Sequence, residues 1–340
     1  PHHPRLGAPH RRRGQVMSHP SLRQRGAALL AAMLTVTLVA TLAAAALWQQ
    51  WRSVEVESSE RARVQAAWIL VGALDWSRLI LSEDGRSGGP DHLAEPWAVP
   101  LQEARLSTFL AAGDGDGVQD NTTDTRDAFL SGQIVDAQSR LNVMNLVDGD
   151  KVSATALVRF GRLFELLGLP RAQASVLANQ MLRATSTSAD DSAPLMPYRV
   201  DDLVWLGLPA PMVAVLAPYI TVLPISTPVN LNTASAEVLY ASGAADDLAA
   251  AQTLVAARQN THFKNAKDAL KLVSDGSDNP NINDFAIASR YFEVRGRLRL
   301  EQTIVEERSL VQRDGNTVKT LWRERGAIAG LDEALAPVTR

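Results

Sequence analysis

Cysteine is absent from all 340 positions, so no disulfide staples the fold and no thiol serves as nucleophile or metal ligand. Histidine is scarce where it would matter: beyond residue 26 only His92 and His262 occur, far apart in sequence, and each reads as a surface side chain. No H-E-x-x-H, G-x-S-x-G or P-loop pattern is present, so an enzyme is not expected. Acids are missing from the first 26 residues, which hold six arginines; without that stretch the formal charge falls from -3 to -9. An acidic body argues against a nucleic-acid surface. No repeat of 20–50 residues stands out. A chain this long can bury a sizeable core without staples, in two units beyond its first apolar run.

That run is the dominant feature. Residues 27–47 contain no charge, amide or proline, and as a helix they extend about 31 Å, the thickness of a bilayer's hydrocarbon core. Trp48, Trp51 and Arg52 follow, suited to the headgroup region, and Arg23 and Arg25 precede it. The arginines predict a cytoplasmic N-terminal side and an exported, periplasmic C-terminal side, hence a single-pass inner-membrane protein in contact with membrane lipid. A secretory signal peptide is the alternative, but its apolar core is shorter, about 7–15 residues. Gly26 separates the basic leader from the apolar helix. This junction resembles the processing site of type IV pilin-like proteins, and implies a prepilin peptidase cutting between Gly26 and Ala27 and a methylated new N-terminus. Met17 is the expected biological start within a 1–26 leader, and 1–16 receive no fold.

Residues 54–81 continue the helix to about fifty-five residues. Val54, Val56, Val64, Ala67, Trp68, Val71, Leu74 and Leu79 are read as its apolar face, with Glu55, Glu57, Glu60, Arg61, Arg63 and Asp75 elsewhere. Residues 84–90 are a loop by composition, and 101–112 read as a short helix. Then Asp114, Asp116, Asp120, Asp124 and Asp127 crowd a glycine-rich segment. Alternating Asp and Gly lets a tight loop aim several carboxylates at one point, which suits a hard cation, so calcium is expected there. It is not an EF-hand loop: Thr125 stands where the bidentate Glu would be.

Residues 132–146 read as a strand and turn. An almost wholly helical stretch follows, with helices at 152–167, 171–184, 200–206, 210–219, from 232, 246–259 and 265–273, and a Ser/Thr/Asp-rich linker at 185–193. The end is β: 291–300 and 317–323 alternate apolar and charged residues, 302–312 supplies the middle strand, and Asp314-Gly315-Asn316 signals a hairpin. One apolar face fits an antiparallel sheet laid on the helix of residues 48–81.

Four phrases carry a specific resemblance. Gly132-Gln-Ile-Val-Asp-Ala-Gln-Ser-Arg-Leu-Asn-Val-Met-Asn-Leu146, Pro228-Val-Asn-Leu-Asn-Thr-Ala-Ser-Ala-Glu-Val-Leu239, Ser289-Arg-Tyr-Phe-Glu-Val-Arg-Gly296 and Leu310-Val-Gln-Arg-Asp-Gly315 occur in that order. Together with the Gly26 junction they resemble the general secretion pathway protein K family, departing at Met144, where the family usually has Asn. The resemblance implies an α+β, pilin-like fold: a long N-terminal transmembrane spine helix packed on an antiparallel sheet, plus a large all-helical inserted domain. It divides the chain into a leader 1–26, a transmembrane helix 27–47, a pilin-like domain of 48–146 and 289–325, an insertion 147–288 and a flexible tail 326–340. It implies a minor pseudopilin at the pseudopilus tip, helping to start and cap assembly for export of folded proteins across the outer membrane. Its expected partners are the other minor pseudopilins, the major pseudopilin, the prepilin peptidase and membrane lipid. In the pilin family the fifth mature residue is usually Glu, thought to neutralise a neighbour's N-terminal amine; here it is Ala31. The other reading is a single-span periplasmic receptor or a DNA-binding competence-type factor, because residues 229–234 also resemble helix-hairpin-helix modules. The turn there, 241–247, carries Asp246 and Asp247, which a phosphate site should not.

Overall fold

No proline interrupts residues 25–87, and alanine and leucine dominate the first half of that stretch. It forms a single helix, α1 (Arg25–Ser87), of 63 residues. Gly88 and Gly89, both at positive φ, and then Pro90 end it. The structure, a computed structural model, describes residues 25–108, 128–186, 192–273, 281–300 and 303–326. It divides into two compact units, Pro1–Glu60 and Arg61–Arg340.

In the first unit every described side chain is exposed. Among the described residues this is the one helix long and apolar enough to cross a membrane, with a mean hydropathy of 2.2 over its best stretch. Thr35, Thr37 and Thr41 donate their hydroxyls to the carbonyls of Ala32, Leu34 and Leu38 at 2.8–3.0 Å. Their polar atoms are thereby satisfied inside the helix, as an apolar solvent requires.

The second unit is built on a five-stranded antiparallel sheet. Its strands are β1 (Leu101–Arg105), β2 (Ala128–Asp136), β9 (Tyr291–Leu300), β10 (Thr303–Asp314) and β11 (Thr317–Arg325), in the order β1-β2-β9-β10-β11. Between β2 and β9 lie six two-residue strands: β3 (Leu141–Asn142), β4 (Val147–Asp148), β5 (Lys151–Val152), β6 (Ile220–Thr221), β7 (Val229–Asn230) and β8 (Phe285–Ala286). Gly315, at φ +59°, makes the tight turn from β10 to β11. One face of the sheet packs on α1. Ala66, Leu70, Leu74 and Leu81 meet Leu130, Ile134, Phe292, Val294, Leu298 and Val311. Burying each leucine is worth about 1.5–3 kcal/mol.

That face of α1 differs from the expected one. Val64, Trp68 and Leu79 are exposed, and of the expected set only Leu74 is buried. The sheet covers a narrow stripe one turn apart along the helix, and several apolar stripes of comparable strength run along this helix. Residues 101–105 are a strand, not the expected helix. Leu101, Ala104 and Arg105 pair with Gly132, Leu130 and Phe129, and this long-range ladder overrides local preference.

The helical block between β2 and β9 has its own apolar cluster, which runs from Leu141 to Phe285 and so begins ahead of residue 147. The block is not wholly helical. β3–β6 and β7–β8 are parallel pairs, β4–β5 is antiparallel, and Val200–Leu206 is a 3-10 helix. Its α-helices are Ala154–Leu166, Arg171–Thr185, Ala210–Leu216, Ala236–Ser242, Leu248–Asn260 and Ala266–Lys271. Ser153, Ser235, Asp247 and Asn265 cap four of these by accepting an N–H of the first turn.

Candidate functional site: a buried joint between sheet and helical block

The signature phrases meet in one place. β2 ends at Asp136, whose carboxylate accepts the N–H of Gln138 at 2.8 Å and starts a 3-10 turn. The same buried carboxylate accepts Thr233 Oγ1 at 2.6 Å, Ser289 Oγ at 2.7 Å and Asn230 Nδ2 at 2.9 Å. Burial pushes its pKa up; the four donors act the other way. Thus the first phrase (Asp136) is tied to the second (Asn230, Thr233) and the third (Ser289). The fourth joins through Arg313, whose Nη2 donates to both oxygens of Asp91 at 2.7 Å and to the Ser289 carbonyl at 2.9 Å. Asp91 in turn accepts the Ser289 N–H at 2.6 Å. Gln138 closes the joint by accepting the Arg290 N–H at 2.7 Å and donating to the Pro228 carbonyl at 3.2 Å.

The asparagines of the phrases act as clamps, each amide pairing with backbone as another peptide would. Asn142 donates to the Ile225 carbonyl at 2.7 Å and accepts the Leu223 N–H at 3.1 Å. Asn145 exchanges bonds of 2.8 and 2.9 Å with Thr227, and Asn232 bonds of 3.0 and 2.8 Å with Phe263. Met144, where the family pattern has Asn, packs against the block's apolar cluster instead. Arg258 donates to the Leu231 carbonyl at 2.7 Å, and burial lowers its pKa to about 10.

Within the sheet, on β9, Glu293 sits between Arg140 at 3.1 Å and Arg295 at 2.5 Å. Burial alone would raise its pKa, but the two guanidiniums bring it down to about 2. The last turn of α1 adds Asp84 and the segment after it Glu95, whose carboxyls hydrogen-bond to each other. Glu95 also accepts the His92 N–H and Trp97 Nε1, both at 2.8 Å. Its pKa is raised to about 7, first by burial and then by the Asp84 charge. Carboxylate oxygens of Asp84, Asp91 and Glu95 lie within 4.8 Å of one another, close enough to hold a cation. Arg313, paired with both aspartates, already supplies positive charge there. His92 and His262, unremarkable in sequence, stack with ring centroids 4.0 Å apart. Sequence spacing could not reveal that pair, because the two lie 170 positions apart and the chain between them folds back to bring them together.

Of the predicted site residues, Gly26 and Ala27 lie exposed in α1, and a side chain added at Gly26 would meet nothing within 4 Å. The expected calcium ligands Asp114, Asp116, Asp120, Asp124 and Asp127 lie outside the described residues. At the supposed DNA-binding hairpin, Asp247 accepts the Ala250 N–H at 2.7 Å. Its carboxylate takes the helix N-terminus that a phosphate would need.

Two family models, both described as type II secretion system protein K, match residues 139–225 and 229–286, the helical block and the phrases at its edges. These matches identify type II secretion system protein K as the family that the chain resembles. Its function is that of a minor pseudopilin of that system. Type II secretion system protein K of Pseudomonas aeruginosa is 29% identical over 327 residues, covering 88% of this chain and 89% of the relative. That of Pectobacterium carotovorum is 25% identical, covering 89% and 97%. A chain from the crystal structure of the GspK-GspI-GspJ complex of enterotoxigenic Escherichia coli shares the fold, with a TM-score of 0.56 at 17% identity, over 79% of this chain and 99% of that one. For a pseudopilin of this family, the apolar part of α1 fits a single-pass membrane anchor.

Proposed function

We propose that this pseudopilin occupies the pseudopilus tip, where it starts and caps assembly for export of folded proteins across the outer membrane. The observation that carries this reading is the helical block. It is inserted between two adjacent strands of the sheet, β2 and β9, and held there by the buried Asp136 joint. A block of that bulk, rigidly fixed on the sheet domain, obstructs the stacking of a further subunit. Ala31 supports the same placement: in place of a Glu it offers no carboxylate to a neighbour's N-terminal amine within the apolar bundle.

The basic leader keeps the N-terminus cytoplasmic and the domain from Arg61 onward periplasmic. The prepilin peptidase cuts after Gly26, and Ala27 becomes the methylated N-terminus. The partners are the other minor pseudopilins. The chain of similar fold comes from a complex named for three such proteins, GspK, GspI and GspJ. The aspartates between 114 and 127 bind calcium, for which their number and spacing are the support. Co-purification tests the partnership. The tagged chain should retain the other minor pseudopilins through a salt wash, and recovery of the major pseudopilin alone would overturn it.

A further inference from the structure

Gly132 and Gly296 belong to different signature phrases and face each other across β2 and β9. Neither places a side chain under α1. A Cβ at Gly132 would lie 2.8 Å from the Arg295 carbonyl oxygen, and one at Gly296 would lie 3.1 Å from Leu70. The pair leaves a cavity of about 240 Å³ between helix and sheet. Leu70, Leu74, Ile80, Leu130 and Val294 contribute apolar walls. The rim is held in shape by Trp97, which donates to Glu95 at 2.8 Å and meets the edge of Phe292 at 5.2 Å. Trp76 and Val99, 46% and 65% exposed, also line it.

Two polar side chains of β10 border this space. Glu307 is engaged by Arg325 at 2.6 Å and Arg323 at 3.2 Å. Ser309 is 1% exposed, and its hydroxyl has no hydrogen-bond partner among the described residues. A buried hydroxyl left unpaired is costly and calls for an explanation. Ser77, Ser131, Gln133 and Arg295 also line the space, but most of its wall is apolar, which favours an apolar guest over water alone. An apolar molecule with one hydroxyl would fill the space and pair Ser309 together. The volume exceeds the roughly 150 Å³ of an apolar cavity that accepts benzene.

We propose that this cavity is a binding site for a small cyclic alcohol of the phenol class, with its hydroxyl on Ser309 and its ring against Leu70, Leu74 and Val294. The test uses the full chain in lipid nanodiscs. Equilibrium dialysis against phenol and against benzene is run with empty nanodiscs subtracted, for wild type and Ser309→Ala. The expected result is saturable binding with phenol about tenfold tighter than benzene in the wild type, and a preference that collapses to about onefold in the variant. Benzene affinity should not change. Thermal melting without ligand is the second readout: Ser309→Ala should melt no lower than wild type, because the hydroxyl makes no bond among the described residues. Absence of saturable binding, a preference that survives in Ser309→Ala, or a lowered melting temperature in the variant would each overturn the proposal.

Discussion

Asp136 and Thr233, 97 positions apart, share a 2.6 Å hydrogen bond between carboxylate and hydroxyl. One ends a strand of the sheet and the other lies in the helical block, so this bond and its neighbours decide how the block is carried. A buried carboxylate is tolerated only when its lone pairs are filled, and here four donors fill them.

Asp136→Ala leaves Thr233, Ser289, Asn230 and the Gln138 N–H without their acceptor. It should destabilise the fold by several kcal/mol, because each buried donor left unsatisfied costs about 1–3 kcal/mol. Thr233→Val should cost less, and the double variant should cost less than the sum of the two, because both remove the same bond. Urea unfolding midpoints measure this, and strict additivity would show that the two residues act independently.

Much of this architecture is legible in the sequence. Period-two alternation at Phe292, Val294, Leu298 and Leu300 marks β9, and serine, aspartate and asparagine at helix starts mark the block's caps. What local pattern misses is set by distant partners. Residues 101–105 become a strand only because β2 lies beside them. The buried stripe of α1 is selected by the sheet among several apolar stripes on the same helix. The joint is half legible. The phrases containing Asp136, Asn230 and Ser289 stand out, but Asp91 and Glu95 lie outside every such phrase, and their burial comes entirely from tertiary structure.

Glu95 predicts a pH dependence. Its folded pKa, about 7, lies above the ordinary value of 4.5, so the folded state holds its proton more tightly than the unfolded state does. Its contribution to stability is therefore complete below pH 4.5 and is lost as pH rises through about 7. Asp91, raised to about 6 mainly by burial, acts in the same direction. Melting temperature should fall across this window in the wild type and fall less in Glu95→Gln. An equal slope in both would remove Glu95 as the cause.

Processing provides a clean test at Gly26, because a side chain there meets nothing in the protein itself. Gly26→Phe should leave the fold unchanged and accumulate uncut precursor, whereas Gly26→Ala should be cut. Mass spectrometry of the mature protein should find Ala27 first. Any other N-terminal residue contradicts the assignment.

Calcium bound by the aspartates of 114–127 would stabilise the native state by mass action, about 2.7 kcal/mol at a hundredfold excess over Kd. Chelator should therefore lower the melting temperature of the wild type and leave that of Asp114→Ala/Asp116→Ala unmoved. A double variant that still responds to chelator places the ion elsewhere.

Position in the filament tests the central claim most directly. With this subunit labelled on an exposed residue of the helical block, such as Trp205 replaced by a single cysteine, electron microscopy of assembled pseudopili should show label at one end only. Ala31→Glu should not change that, because the block still caps the stack. Label distributed along the shaft of wild-type filaments would contradict the tip assignment.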